Sequence, residues 1–155
     1  MTENNTFHQT IKEIETNSRV YLMHNYIQHG SITTYDHCLS VASMSYWLNR
    51  KFHLHSDEKQ LIRGAFLHDY FLYDWHHYEG NLHGFSHPHT ALINAREDFM
   101  LTRKEENIIR SHMWPLTFWH YPQSREAVIV CLADKIVSTK ETLFKRKKIA
   151  QSIYL

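Results

Sequence analysis

Six residues of this chain have the types and placement to hold transition-metal ions: His37, His68, Asp69, His87, His112 and Asp134. Histidine is abundant, 14 in 155 residues, and imidazole is the commonest side-chain ligand for such ions. Abundance alone selects nothing, because most histidines are ordinary polar groups. Position is more informative. His37 and His112 fall on apolar stripes at helical spacing, where a lone histidine usually satisfies its ring nitrogen with a carbonyl. Asp134 is harder to read that way. Its neighbours at i−4, i−3 and i+3 are Val130, Cys131 and Val137, and a carboxylate buried among them needs a cation or several donors to offset its desolvation. A metal ion supplies that charge directly. Imidazole and carboxylate without thiolate suit iron, manganese, zinc or a similar divalent ion better than calcium.

Helices must position these groups. Apolar residues at Phe7, Ile11, Ile14, Val20, Met23 and Ile27 predict a helix over about 7–29, weak at Asn17-Ser18 and stopped by Gly30. Thr33 or Thr34 caps a second helix to about Phe52, with His37, Val41, Met44 and Leu48 on one stripe. Ser56-Asp57-Glu58 opens a third, which delivers His68-Asp69 at its end. Residues 70–86 read as an aromatic, irregular loop, with Tyr70, Phe71, Tyr73, Trp75 and Tyr78 beside His76, His77 and His83. Such length inside a compact domain points to function. His87-Pro88 reads as a helix start, followed by Ala91, Ala95 and Phe99. Thr102 and Glu105 form a capping box for the helix that carries Ile108 and His112 and ends at Trp114-Pro115. Ser124 caps a last long helix with Ala127, Val130, Cys131, Asp134 and Val137 along one side.

Four Gly and three Pro leave few turns, which favours helices and short loops over a strand-rich fold. The length fits one domain over residues 1–155. Seventeen basic residues against 16 acidic ones give no field to recruit nucleic acid or a membrane. The run Lys145-Arg146-Lys147-Lys148 reads as a solvated face. The first residues carry no apolar leader core, and no apolar run approaches the roughly 20 residues of a membrane span, so the expected location is cytoplasmic. Cys38 and Cys131 lack metal-motif spacing and read as buried small apolar residues.

The ordered blocks DHCLSVA at His37, GAFLHD at His68-Asp69, HPHTA at His87, IIRSHMWP at His112 and CLADKIV at Asp134 resemble the HD-domain metal-dependent phosphohydrolase superfamily over about residues 33–142. The resemblance implies an all-α bundle of five or more helices. It implies that His37, His68, Asp69 and Asp134 hold a first divalent metal ion, and that His87 and His112 hold a second. Asp69, bridging both, becomes the catalytic residue. The implied activity is hydrolysis of a small phosphoester or phosphoanhydride, nucleotide-like, by metal-activated water. No Gly-Lys follows the His-Asp pair, where the stretch reads Tyr70-Phe71-Leu72-Tyr73, and the pattern looks closer to small stand-alone bacterial members. Lys135 and Lys140 are candidate contacts for phosphate oxygens, and Trp75, Trp114, Trp119 and Tyr121 for a stacked base. One of His76, His77, His83, His89 and His120 is a candidate proton donor. Two alternatives use the same scaffold: a di-iron oxygenase, and a nucleotide-binding regulator without turnover.

Overall fold

Side-chain caps fix where most of the helices begin. Thr33 accepts the Asp36 backbone N–H at 3.1 Å and starts α2, Thr34–Lys51. Asp57, rather than Ser56, accepts the Gln60 N–H at 3.0 Å and starts α3, Glu58–Leu67. Thr102 and Glu105 exchange bonds of 3.2 and 2.8 Å in the expected capping box at the head of α5, Arg103–Ser111. Ser124 accepts the Ala127 N–H at 3.1 Å ahead of α6, Arg125–Ile153. Each bond satisfies a donor that the helix itself leaves orphaned. With α1, Asn5–Glu15, and α4, His83–Asp98, these make an all-α bundle. The computed structural model describes residues 5–77 and 83–153, with side chains over 6–77 and 84–143. Tyr78 lies outside the described residues, as do the side chains of His83 and of the basic run at residues 145–148.

The long first helix expected over residues 7–29 is divided. Helix α1 stops at Glu15, and Asn17 turns its side-chain oxygen onto the Arg19 N–H at 2.9 Å, capping a 3-10 segment, Ser18–Asn25. Asparagine offers the backbone this local alternative. The chain then makes a short antiparallel hairpin from β1, Ile27–His29, and β2, Ile32–Thr33. Gly30 sits in its turn with φ 65°, so it is a hairpin glycine and not a helix stop. Helix α4 also differs from expectation, since it begins at His83 and carries Pro88 inside. Gly84 stands in the turn before His87, where an added Cβ would lie 3.4 Å from Leu116 Cδ2.

The core gathers Ile14, Met23, Val41, Leu61, Phe66, Ile108 and Val130 from α1, the 3-10 segment, α2, α3, α5 and α6, and Cys38 and Cys131 are buried and free. At its centre α3 and α5 run to a common end. A Cβ added to Gly64 would stand 2.5 Å from Ile108 Cδ1 and 3.0 Å from its Cβ. This is the closest kind of helix approach, and it needs glycine. One turn further along each helix stand His68 and His112, whose rings are 4.8 Å apart. The Gly64–Ile108 contact therefore sets the distance between two of the site histidines. Gly64→Ala should lower stability by about 1–3 kcal/mol through overpacking, despite alanine's better helix propensity. Denaturant unfolding checks this, and Ile108→Ala in the same chain should recover part of the loss.

Candidate metal centre

All six expected residues converge in one buried place. His37 comes from the first turn of α2, His68 and Asp69 from the end of α3, His87 from α4, His112 from the end of α5, and Asp134 from α6. His37, His68 and His112 are 0–1% exposed and Asp134 is 8% exposed. Asp69 stands between two sets. Its Oδ2 lies 3.7 Å from His37 Nε2 and 3.4 Å from His68 Nε2. Its Oδ1 lies 3.2 Å from His87 Nε2 and 3.3 Å from His112 Nε2. Asp134 Oδ1 closes the first set at 3.3 Å from His37 Nε2 and 3.8 Å from His68 Nε2.

The same atoms are those that the protein leaves unsatisfied. His37 Nε2, His68 Nε2 and Asp69 Oδ1 are buried without a hydrogen-bond partner, although buried polar atoms are almost always paired. His87 Nε2 and His112 Nε2 face each other at 2.9 Å, where only one can carry the shared proton. Unpaired nitrogen and oxygen donors aimed into one space are what a first-row divalent ion requires, and the residues fit one. Donor groups close enough to share an ion form three times among the described residues: His37, His68 and Asp134; His68, Asp69 and His112; and, on the outer side of His37, His29, His37 and Glu141.

Helix ends fix the ring orientations. His68 and His112 follow the last residues of α3 and α5, and their Nδ1–H groups donate to the i−3 carbonyls of Ala65 and Ile109 at 2.7 and 2.8 Å. Those carbonyls are orphans of the helix terminus. Spending Nδ1 there turns Nε2 inward, and two helix C-termini add partial negative charge that favours a cation. Gln28 of β1 donates to Asp69 Oδ2 at 2.7 Å and accepts from Thr34 at 3.3 Å. Glu141 accepts from His37 Nδ1 at 2.9 Å. Neither Gln28 nor Glu141 is among the sequence candidates. Glu141 carried a signal, lying seven residues beyond Asp134 on the same helix face, whereas Gln28 was hidden by reading its strand as helix.

The other candidates are dispersed. Lys135 Nζ donates to the carbonyls of His112 and Cys131, both at 3.2 Å. Lys140 lines a cavity of about 910 Å³ between α2 and α6, with Trp47 and Ile136. Trp75 is half-buried against the core and packs its ring 3.9 Å from that of His76. Trp114 is 42% exposed, two residues past His112. His77 pairs with Asp74 at 2.7 Å on the surface.

Without an ion the site holds protons. Burial pushes His37 down, but Asp134 and Glu141 outweigh it and hold the ring up at about 10. Burial opposes a charge on His68 too, yet Asp69 raises it well above the ordinary value. His112 is lowered by burial and stays neutral near pH 7. An ion needs the lone pairs, so metal uptake at pH 7 should release protons from His37 and His68, and affinity should climb with pH until about 10. Calorimetric titration in buffers of different ionisation enthalpy measures the release. Uptake with no proton released would show that the ion sits elsewhere.

The family model for the HD domain matches residues 34–138 of the chain, a span that holds all six site residues. Comparison with curated proteins and with solved structures gives no match.

Proposed function

Because the chain belongs to the HD domain family, a superfamily of metal-dependent hydrolases, we propose that it cleaves a phosphoester or phosphoanhydride bond of a small nucleotide-like molecule with two divalent transition-metal ions. The observation that carries this reading is Asp69, whose two oxygens face two separate donor sets, His37–His68–Asp134 and His87–His112. Bound there, two ions would supply Lewis acidity toward phosphoryl oxygens and lower the pKa of water. The chain's own residues do the rest. Asp69 fixes the spacing of the two halves, Gln28 steadies its Oδ2, and Lys135 secures the carbonyl of His112. The whole of residues 1–155 is taken as one domain acting in the cytoplasm; among the described residues no helix is long and apolar enough to cross a membrane.

An aromatic wall beside the second half supports a planar substrate. Phe85 lies two residues before His87 and stacks on Trp119 at 6.1 Å and 14°, and both are at least 40% exposed. Trp114, Phe118 and Tyr121 extend the exposed surface. A base could stack on this wall while its phosphate reaches Asp69 and the histidines.

The test is phosphate release from a panel of nucleotides and simple phosphoesters, with protein loaded in turn with manganese, iron, cobalt, nickel or magnesium. Chelator-sensitive release is expected. Trp119→Ala should raise KM for a nucleotide roughly three- to tenfold, since an aromatic contact is worth ~0.5–1.5 kcal/mol, and leave metal content unchanged. No release with any metal would sink the proposal. Tight nucleotide binding without turnover would make the protein a regulator, and dioxygen uptake by the iron form an oxygenase.

A further inference from the structure

We propose that Glu141 is a positioning residue of the metal centre, holding the His37 ring so that Nε2 faces the oxygens of Asp69 and Asp134. This rests on the metal-centre reading above and adds a residue that lies outside the donor set.

His37 has a problem that His68 and His112 do not share. Those two end helices, where unpaired carbonyls wait for an N–H. His37 lies in the first turn of α2, whose orphan groups are N–H donors and cannot accept another N–H. Its Nδ1 proton must find an acceptor on a different element. Helix α6 provides one: Asp134 meets Nε2 at 3.3 Å, and two turns on, Glu141 meets Nδ1 at 2.9 Å. A seven-residue spacing puts both carboxylates on one helix face. They grip the ring from its two nitrogens, one in front and one behind.

The surroundings favour this role over a chance surface pair. Glu141 is 8% exposed and His37 is fully buried. The next basic group is His29, whose Nε2 lies 4.0 Å from the same oxygen and whose ring meets that of His37 edge-on at 5.6 Å. Burying a carboxylate is costly unless it is paired, and the pairing here is chiefly with His37. Carboxylates behind ligating histidines fix the ring and raise its basicity, and their loss typically weakens metal binding roughly 10–100-fold.

The experiment uses the full chain loaded with zinc or manganese, and reads metal affinity and stoichiometry by competition with a chelator. Glu141→Ala should weaken one ion roughly 10–100-fold and leave the other, on the His87–His112 side, unchanged. Glu141→Gln keeps a neutral acceptor and should recover most of that loss, which a purely structural charge would not do. In the zinc-loaded wild type, long-range proton–nitrogen spectra should show His37 protonated at Nδ1 and bound through Nε2. If Glu141→Ala does not fold, the glutamine variant and this spectrum decide. Wild type that binds two ions while Glu141→Ala binds both as tightly would overturn the proposal and leave the metal centre standing. So would His37 bound through Nδ1, or a third ion lost with Glu141. Wild type that takes up no metal would remove the metal centre itself and Glu141's role with it.

Discussion

Replacing Asp69 with alanine should empty both halves of the metal centre, whereas replacing His112 should empty only one. Among the described residues, Asp69 is the one whose oxygens reach both donor sets, Oδ2 at 3.4 Å from His68 Nε2 and Oδ1 at 3.3 Å from His112 Nε2. Removing it takes one oxygen ligand from each ion and leaves imidazoles packed together without the carboxylate that offsets their charge. Burial pushes the Asp69 pKa up, but His68 and His87 pull it well below the ordinary range, so the group is a carboxylate at any working pH. Loss of a direct bridging ligand should exceed the roughly 10–100-fold cost of losing an outer partner, and turnover should fall by several orders of magnitude. Elemental analysis after metal loading gives the decisive ratio: close to two ions per chain in wild type, close to one in His112→Ala, and close to none in Asp69→Ala. A stoichiometry of one in wild type, unmoved by His87→Ala or His112→Ala, would refute the two-ion arrangement.

Much of this geometry was legible because it is local. Thr33, Thr102 with Glu105, and Ser124 announce helix starts through bonds that span three residues, and such bonds depend little on the rest of the fold. The stripe of Ala127, Val130, Asp134 and Val137 shows a buried carboxylate for the same reason. The hairpin was not legible. Its Ile27 continues the helical spacing of Val20 and Met23, and only the competing side chain of Asn17 and the left-handed Gly30 divert the chain. That diversion hides Gln28, whose partner Asp69 is 41 residues away. Pro88 misled for the opposite reason. Proline suits the first turn of a helix, but here α4 begins at His83, one turn ahead of His87, and carries Pro88 inside. In the first case a local side-chain bond overrode the apolar spacing, while Gln28's partner is a tertiary contact that no local pattern shows. Partners of buried charges belong to the same class: the stripe says that Asp134 is buried, and not that His37 lies 3.3 Å from it.

That pairing decides what Asp134→Asn should do. With metal present, the variant keeps its size but loses an anionic ligand, so activity should fall by orders of magnitude. Stability is more informative. In the metal-free protein, burial pushes Asp134 up, but His37 and His68 outweigh it and keep the group ionised below the usual carboxylate range. His37 is held at about 10. The two therefore form a buried ion pair at neutral pH. A lowered carboxylate contributes stability above its ordinary pKa and loses it as pH falls through the folded value. A raised histidine contributes below its ordinary pKa and loses it as pH rises through about 10. Metal-free Asp134→Asn should thus be less stable than wild type near pH 7, toward the lower end of the roughly 3–5 kcal/mol that breaking a buried pair costs, because His37 can shed its proton. The difference should close above about pH 10, where His37 is neutral in both proteins. An isolated buried Asp134 would behave oppositely, its removal leaving the metal-free protein as stable or more so. Adding metal should raise the wild-type melting temperature, since an ion at 100 times its Kd stabilises the folded state by about 2.7 kcal/mol. In Asp134→Asn that rise should shrink markedly. Melting curves of both proteins at pH 7 and pH 10.5, with chelator and with excess manganese, separate these contributions, and equal metal-dependent rises in the two would exclude Asp134 from the site.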